Sequence, residues 1–282
     1  MDDGAPFVCV YASQLAACIG RNRHRRVSDA VLAMWQRACP ASFRDAMARN
    51  GLRTEDDIVD ELVARRSDLQ ALYERTLAGA DTTSADVVAS YEDVAGELAA
   101  VDLDEADRRL LGEALRKNLF TTYGTRAEPE ALEYVRDVLR IPCSTDSAFH
   151  KLHMGDVDGV PWYIGGKVDA VSDDGAMVIE IKNRVNRLFH RVPAYEALQV
   201  QAYLELLDAR HGVLVECIKA DDGGMRANAL PLPRDREGWA RDVVPRLRRF
   251  VRFVVRLLRE PALQDAFLLS KRPSAMVGLD AP

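Results

Sequence analysis

Two runs with a hydrophobic period of two, joined by a turn signal, constrain this chain more than anything else in it. Trp162-Tyr163-Ile164-Gly165-Gly166-Lys167-Val168-Asp169-Ala170-Val171 is followed by Ser172-Asp173-Asp174-Gly175, then by Ala176-Met177-Val178-Ile179-Glu180-Ile181-Lys182. Asp-Gly is favoured where a tight turn needs positive φ, so the pattern predicts an antiparallel hairpin whose first strand bends at its paired glycines. Alternation puts Glu180 and Lys182 on one face of the second strand and Ile179 and Ile181 on the other. Neighbouring strands of a hairpin bring side chains within about 5 Å, so Asp169 is expected to meet Glu180 and Lys182. Charges gathered away from water cost desolvation energy unless an ion compensates. Hard oxygen ligands at that separation suit Mg²⁺ or Mn²⁺. The bland alternative is a solvated charged sheet face, which the same residues would also make.

Helices are expected around the hairpin. Thr54 and Asp57 make a capping-box pattern ahead of Ile58, Leu62, Leu69 and Leu72. The stretch from Asp81 to Glu113 is acidic and reads as solvated helical surface. Ala131, Leu132, Val135 and Val138 form an apolar stripe at helical spacing, on a helix expected to start at Glu128, just after Gly124. Ala194–Leu207 reads as helix, Gly212–Ile218 as a third strand and Arg241–Arg259 as a long terminal helix. The fold class is therefore α/β, a central mixed sheet flanked by helices with a helical N-terminal part. With 282 residues, 48% of them hydrophobic and 29% charged, such a core needs no disulfide or metal staple.

Composition narrows the function classes. No uninterrupted apolar run reaches the roughly 18 residues of a membrane span, and Met1-Asp2-Asp3 is acidic where a signal peptide would be basic. Five widely spaced cysteines without a C-x-x-C pattern favour buried thiols in a soluble protein of a reducing intracellular compartment. A net charge of −6 argues against a wholly basic nucleic-acid binder but leaves room for local basic tracks. Two are visible. Arg21, Arg23, Arg25 and Arg26 follow the first helical stretch, and Asn183, Arg184, Asn186, Arg187 and Arg191 follow the Glu-x-Lys strand. Phe189 and Trp162 could stack on a base, though each suits a core as well. His150 and His153 are a weak metal-pair pattern with no matching acidic motif.

Asp169 followed by Glu180-Ile181-Lys182 resembles the PD-(D/E)xK nuclease superfamily, and the flanking segments resemble its lambda-exonuclease-like branch, including YqaJ-type viral recombinases. Tyr123-Gly124-Thr125-Arg126-Ala127-Glu128 is similar to that branch's first motif, Gln199-Val200-Gln201-Ala202-Tyr203 to its Q-x-x-x-Y element, and Tyr11 through Asn22 to its N-terminal motif. The residue before Asp169 is Val168 rather than proline. The resemblance implies a restriction-endonuclease-like core over 121–272, a helical region over 1–120 that carries a DNA-contacting motif and an acidic insertion, and a tail over 273–282. It implies catalytic roles for Asp169, Glu180, Lys182, Gln199 and Tyr203. One or two Mg²⁺ or Mn²⁺ ions would be held by Glu128, Asp169, Glu180 and the Ile181 carbonyl. Contacts with DNA, expected at duplex ends, would come from Ser13, Arg21, Asn22, Arg23, Arg126, Asn183, Arg184 and Arg187. The implied activity is exonucleolytic hydrolysis of linear double-stranded DNA in recombination, repair or replication, leaving 5′-phosphates, beside a single-strand-annealing or replication protein. A structure-specific or nicking endonuclease, or a non-catalytic nucleic-acid-binding protein, could use the same core.

Overall fold

The computed structural model describes residues 7–78 and 83–279; Met1-Asp2-Asp3, Asp81 and residues 280–282 of the expected tail lie outside that range. Chain order begins with β1 (Val8–Tyr11), a 3₁₀ turn over Ala12–Gln14, α1 (Leu15–Cys18), α2 (Val27–Ala38) and α3 (Pro40–Arg49). Next come α4 (Glu55–Arg65), α5 (Ser67–Ala78), α6 (Ser84–Ala100) and α7 (Glu105–Asp137). The strands β2 (Cys143–Thr145), β3 (His150–Val157), β4 (Val160–Gly166), β5 (Ala170–Ser172) and β6 (Met177–Asn183) follow. After α8 (Ala194–Leu206) come β7 (His211–Lys219) and β8 (Met225–Pro233). The chain ends with α9 (Arg236–Gly238), a π-helical turn over Trp239–Val243, α10 (Val244–Arg259), α11 (Pro261–Leu269) and α12 (Pro273–Met276).

The expected mixed α/β architecture is present, with its strands divided into two sheets. One has the order β1-β4-β3 and the other β2-β5-β6-β7-β8. Trp162–Val171 is therefore not one bent strand. β4 ends at Gly166, and Lys167-Val168-Asp169 carries the chain from the first sheet to the second. The hairpin closes as expected: Ala170 pairs with Ile179, Val171 with Val178, and Gly175 takes φ +71° at the turn. β6 and β7 run parallel, connected through α8, so β6 lies inside its sheet with α8 over one face. Ile179 and Ile181 point to the other face, where they pack with Ala131, Leu132 and Val135 of α7.

Several expectations need correction, among them the terminal helix over Arg241–Arg259, whose first residues form the π-helical turn and which α11 and α12 follow. Glu128 does not begin a helix: it lies within α7, which starts at Glu105 behind the cap of Asp104 and runs 33 residues. The change of pattern at Thr121 falls inside that single helix and marks a change of packing partner along it. Its first half, with Leu111, Leu115, Leu119 and Tyr123, forms a core with Val59, Leu69, Leu72, Val87, Val94 and Leu98 of α4–α6; its second half covers the five-stranded sheet. The acidic stretch is thus the outer face of a helical unit with a core of its own. Its entries are fixed by reciprocal caps, Thr54 with Asp57 and Thr83 with Asp86, each contributing about 1 kcal/mol. The segment from 273 is not a free tail either, because Val277 and Leu279 are buried in the main core and Ser274 Oγ accepts from the Ser28 amide.

Candidate active site

Glu180 stands at the centre of the site. It points from β6 toward α8 and is 2% exposed. Its Oε1 accepts from Lys182 Nζ at 2.6 Å and from Gln199 Nε2 at 2.7 Å, while its Oε2 is buried without a hydrogen-bond partner. Gln199 Oε1 also accepts from Lys182 Nζ at 3.3 Å, and Gln199 Nε2 donates to Tyr203 Oη at 3.3 Å. The four-residue spacing of Gln199 and Tyr203 puts both on the α8 face that meets β6. Asp169 reaches the same place from the link between the sheets, where its Oδ2 accepts from the Ile181 amide at 2.7 Å.

Electrostatics mark these groups. Burial pushes the Glu180 carboxyl up to about 7, against the pull of Lys182. Burial also raises Asp169, only partly countered by the Ile181 N–H and by Lys182. Glu128 is raised by burial and then by the charge of Asp169, which makes it a near neighbour. Burial would lower Lys182, but Glu180 and Asp169 more than offset this and hold it above the ordinary lysine value. Lys182 is therefore held in its protonated, cationic form. The Tyr203 hydroxyl is likewise raised by burial and by Glu180, so it stays protonated.

Among the described residues no three His, Cys, Asp or Glu side chains already form a metal-binding group. Like-charged carboxylates do not close on one another without a cation between them. The residues nonetheless fit a hard divalent ion. A buried carboxylate oxygen of Glu180 lacks a partner, Asp169 offers a second carboxylate, and Glu128 a third within electrostatic reach. One consequence concerns stability. An acid raised from 4.5 to about 7 contributes stability that is complete below pH 4.5 and lost as pH rises through 7. The metal-free protein is expected to lose about 3 kcal/mol across that window, with its melting temperature falling accordingly. Mn²⁺ should restore more of the melting temperature at pH 8 than at pH 5.5. A flat melting profile from pH 5 to 8 in chelator contradicts this.

Gly166 shapes the site in a way its sequence context did not announce. A Cβ there would lie 2.6 Å from Tyr203 Cε1 and 3.2 Å from Ala12 Cβ, so the glycine admits the tyrosine ring rather than another backbone. Gly166→Ala is expected to displace Tyr203, cost about 1–3 kcal/mol and disturb the Gln199 contact; an unshifted ring in a crystal structure of the variant would refute it.

The expected DNA contacts divide. Arg21 and Arg23 line one cleft of about 700 Å³ with Arg187, Arg191, Phe189 and Tyr195, so the two basic tracks meet in space. Ser13 is exposed on the 3₁₀ turn, and Asn22 Oδ1 accepts from the His24 amide. Asn183 donates to the Gly124 carbonyl at 2.9 Å, tying the end of β6 to α7. Arg184 is not a free phosphate contact. Its side chain is 11% exposed, and its guanidinium forks onto Glu196 at 2.8 and 2.7 Å and meets Glu216 at 3.3 Å. Arg126 donates to the Ala78 carbonyl. Trp162 is fully buried in the core, and Phe189 packs 4.2 Å under Arg184. His150 and His153 pair separately with Asp146 and Asp156.

Sequence reasoning missed Lys167, whose charge opposes the raised values of both Asp169 and Glu128. It also missed Glu216, which is fully buried, accepts from the Phe189 and His190 amides and anchors the loop behind the basic cleft. An acid inside the apolar run Val213-Leu214-Val215-Glu216-Cys217-Ile218 was the available signal.

No protein-family model and no curated protein matches the chain. Solved structures do. An alkaline exonuclease from Laribacter hongkongensis is 16% identical, over 71% of this chain and 99% of that one, with a TM-score of 0.42. A phage-related exonuclease from Haemophilus somnus 129PT is 12% identical, over 49% and 72%, with a TM-score of 0.36. The protein SSO0001 is 17% identical, over 72% and 94%, with a TM-score of 0.37. In the order of its sequence motifs this chain resembles the lambda-exonuclease-like branch of the PD-(D/E)xK nucleases.

Proposed function

We propose that this protein is a divalent-metal-dependent deoxyribonuclease that hydrolyses linear duplex DNA from its ends and leaves 5′-phosphates. The observation that carries the reading is Glu180: a buried carboxylate with one oxygen bonded to Lys182 and Gln199 and the other unpartnered, beside Asp169. Glu128, Asp169, Glu180 and the Ile181 carbonyl would hold Mg²⁺ or Mn²⁺, whose chemistry is to lower the pKa of water and offset charge on phosphate oxygens. Lys182, protonated, stabilises charge that builds on the phosphoryl group and orients the attacking water. Gln199 holds Lys182 and Glu180 in register, and Tyr203 fixes Gln199. Arg21, Arg23, Arg187 and Arg191 grip phosphates in the adjoining cleft, which positions a strand without reading its sequence. Work beside a single-strand-annealing or replication protein belongs to the same reading.

The test incubates the protein and Mg²⁺ with 5′-labelled linear duplex and with closed circular duplex. Digestion of the linear form to 5′-phosphorylated products, with the circle intact, is expected. Cleavage of the circle would make the protein an endonuclease, and no divalent-dependent cleavage of either would refute the nuclease.

A further inference from the structure

The sheet β1-β4-β3 buries one face. Val8, Val10, Trp162 and Ile164 are fully buried in the main core. Alternation sends Phe7, Tyr11 and Tyr163 to the other face, and the register makes that face continuous: Tyr11 lies opposite Gly165, Gly165 opposite Lys151, and Tyr163 opposite His153. Phe149 precedes β3 and folds onto the same surface. Its ring rests on Gly165, where a Cβ would lie 2.8 Å from both Phe149 Cζ and Cys9 Sγ. The glycine is therefore a seat for an aromatic ring.

Large apolar side chains stay on this surface in water. Phe7 is 45% and Phe149 50% exposed. The rings form two contacts, Phe7 with Tyr163 at 5.8 Å and Tyr11 with Phe149 at 5.4 Å. Cations lie among them: Arg37 is 3.9 Å above the Tyr11 ring, and Lys151 is 4.3 Å from Phe7 and 5.0 Å from Tyr163. Asp156, paired with His153, lies at the far end of this face, and Asp146, paired with His150, lies close in sequence to Phe149. The near end leads into the active site, since Gly165 stands four residues before Asp169 on the same segment.

Exposed rings interleaved with cations match the chemistry of unpaired nucleotides, whose bases offer π-faces and whose linkages offer negative charge. A duplex hides those faces. We propose that the open face of β1-β4-β3 is a stacking platform for a single-stranded stretch of nucleic acid, with Phe149 and Tyr163 receiving bases and Lys151 meeting phosphates. This rests on the nuclease reading for its purpose, to hold the strand that leaves or approaches the site, but binding itself requires no cleavage.

The test measures fluorescence anisotropy of a labelled oligothymidylate of about 12 nucleotides in excess EDTA, which stops any divalent-dependent reaction. Wild type is expected to bind. Phe149→Ala and Tyr163→Ala should each weaken binding about tenfold, Phe149→Trp should keep it, and an abasic oligomer of equal length should bind as weakly as the alanine variants. Melting curves check that each variant is folded, and half-exposed Phe149 can be removed with little effect on the core. The platform is overturned if wild type does not bind, if folded Phe149→Ala binds equally well, or if the abasic oligomer binds as tightly as the thymidylate. These outcomes hold whether or not the protein cleaves DNA, because divalent-dependent digestion separately decides the nuclease reading.

Discussion

Asp169→Asn is expected to reduce divalent-dependent digestion of linear duplex by about 10³-fold, and Lys182→Ala by about 10²–10³-fold. The two variants act on different parts of the same event. Asparagine keeps an oxygen able to accept from the Ile181 amide, so the link between the sheets survives while a ligand charge is lost. Melting of Asp169→Asn in chelator should therefore stay close to wild type, or rise slightly, because a raised carboxyl has been removed. Lys182→Ala removes the cation that partners Glu180 and contacts Gln199. With the ammonium gone, the buried Glu180 carboxyl should take up a proton at still higher pH, so metal binding should demand a more alkaline solution. Digestion rates at saturating Mn²⁺ between pH 7 and 9 measure both effects. Equal rates for wild type and Asp169→Asn would contradict the proposed role.

Arg184→Ala is expected to cost about 3–5 kcal/mol of stability, the largest effect foreseen outside the metal site. The guanidinium lies between Glu196, 6% exposed, and Glu216, fully buried, so its removal leaves two carboxylates facing each other without a cation. Glu216 also receives the Phe189 and His190 amides, which makes the network the anchor of the loop carrying Arg187 and Arg191. Arg184→Lys keeps the charge but cannot fork onto Glu196 while reaching Glu216, so it should recover only part of the loss. Thermal melting reads the stability, and DNA affinity in chelator reads the cleft. Melting of Arg184→Ala within about 2 °C of wild type would contradict the buried-network assignment.

The hairpin, its turn and the meeting of Asp169 with the Glu180 strand were legible because period-two alternation and an Asp-Gly turn are local signals. Gln199 and Tyr203 were singled out by their likeness to the Q-x-x-x-Y element, and helical spacing then places i and i+4 on one face. What the sequence hid was long-range. Nothing local marks Gly166 as the end of a strand whose continuation joins another sheet, and the Tyr203 ring that packs against it comes from the distant α8. Glu128 looked like a helix start because glycine precedes it closely, but Gly124 sits inside α7, held by packing on both sides. Arg184 looked like a phosphate ligand because it sits in a basic track; the acids that claim it, Glu196 and Glu216, lie on separate elements. The acidic helices read as surface because charge counts do not reveal the apolar stripe each turns inward.

Crystals of the protein soaked in Mn²⁺, measured at the manganese absorption edge, test the central assignment most directly. The predicted result is an anomalous peak about 2.1–2.2 Å from a Glu180 oxygen and an Asp169 oxygen, absent in Asp169→Asn. A fully soaked crystal with no peak between those two carboxylates, or with its only peak elsewhere, would contradict it.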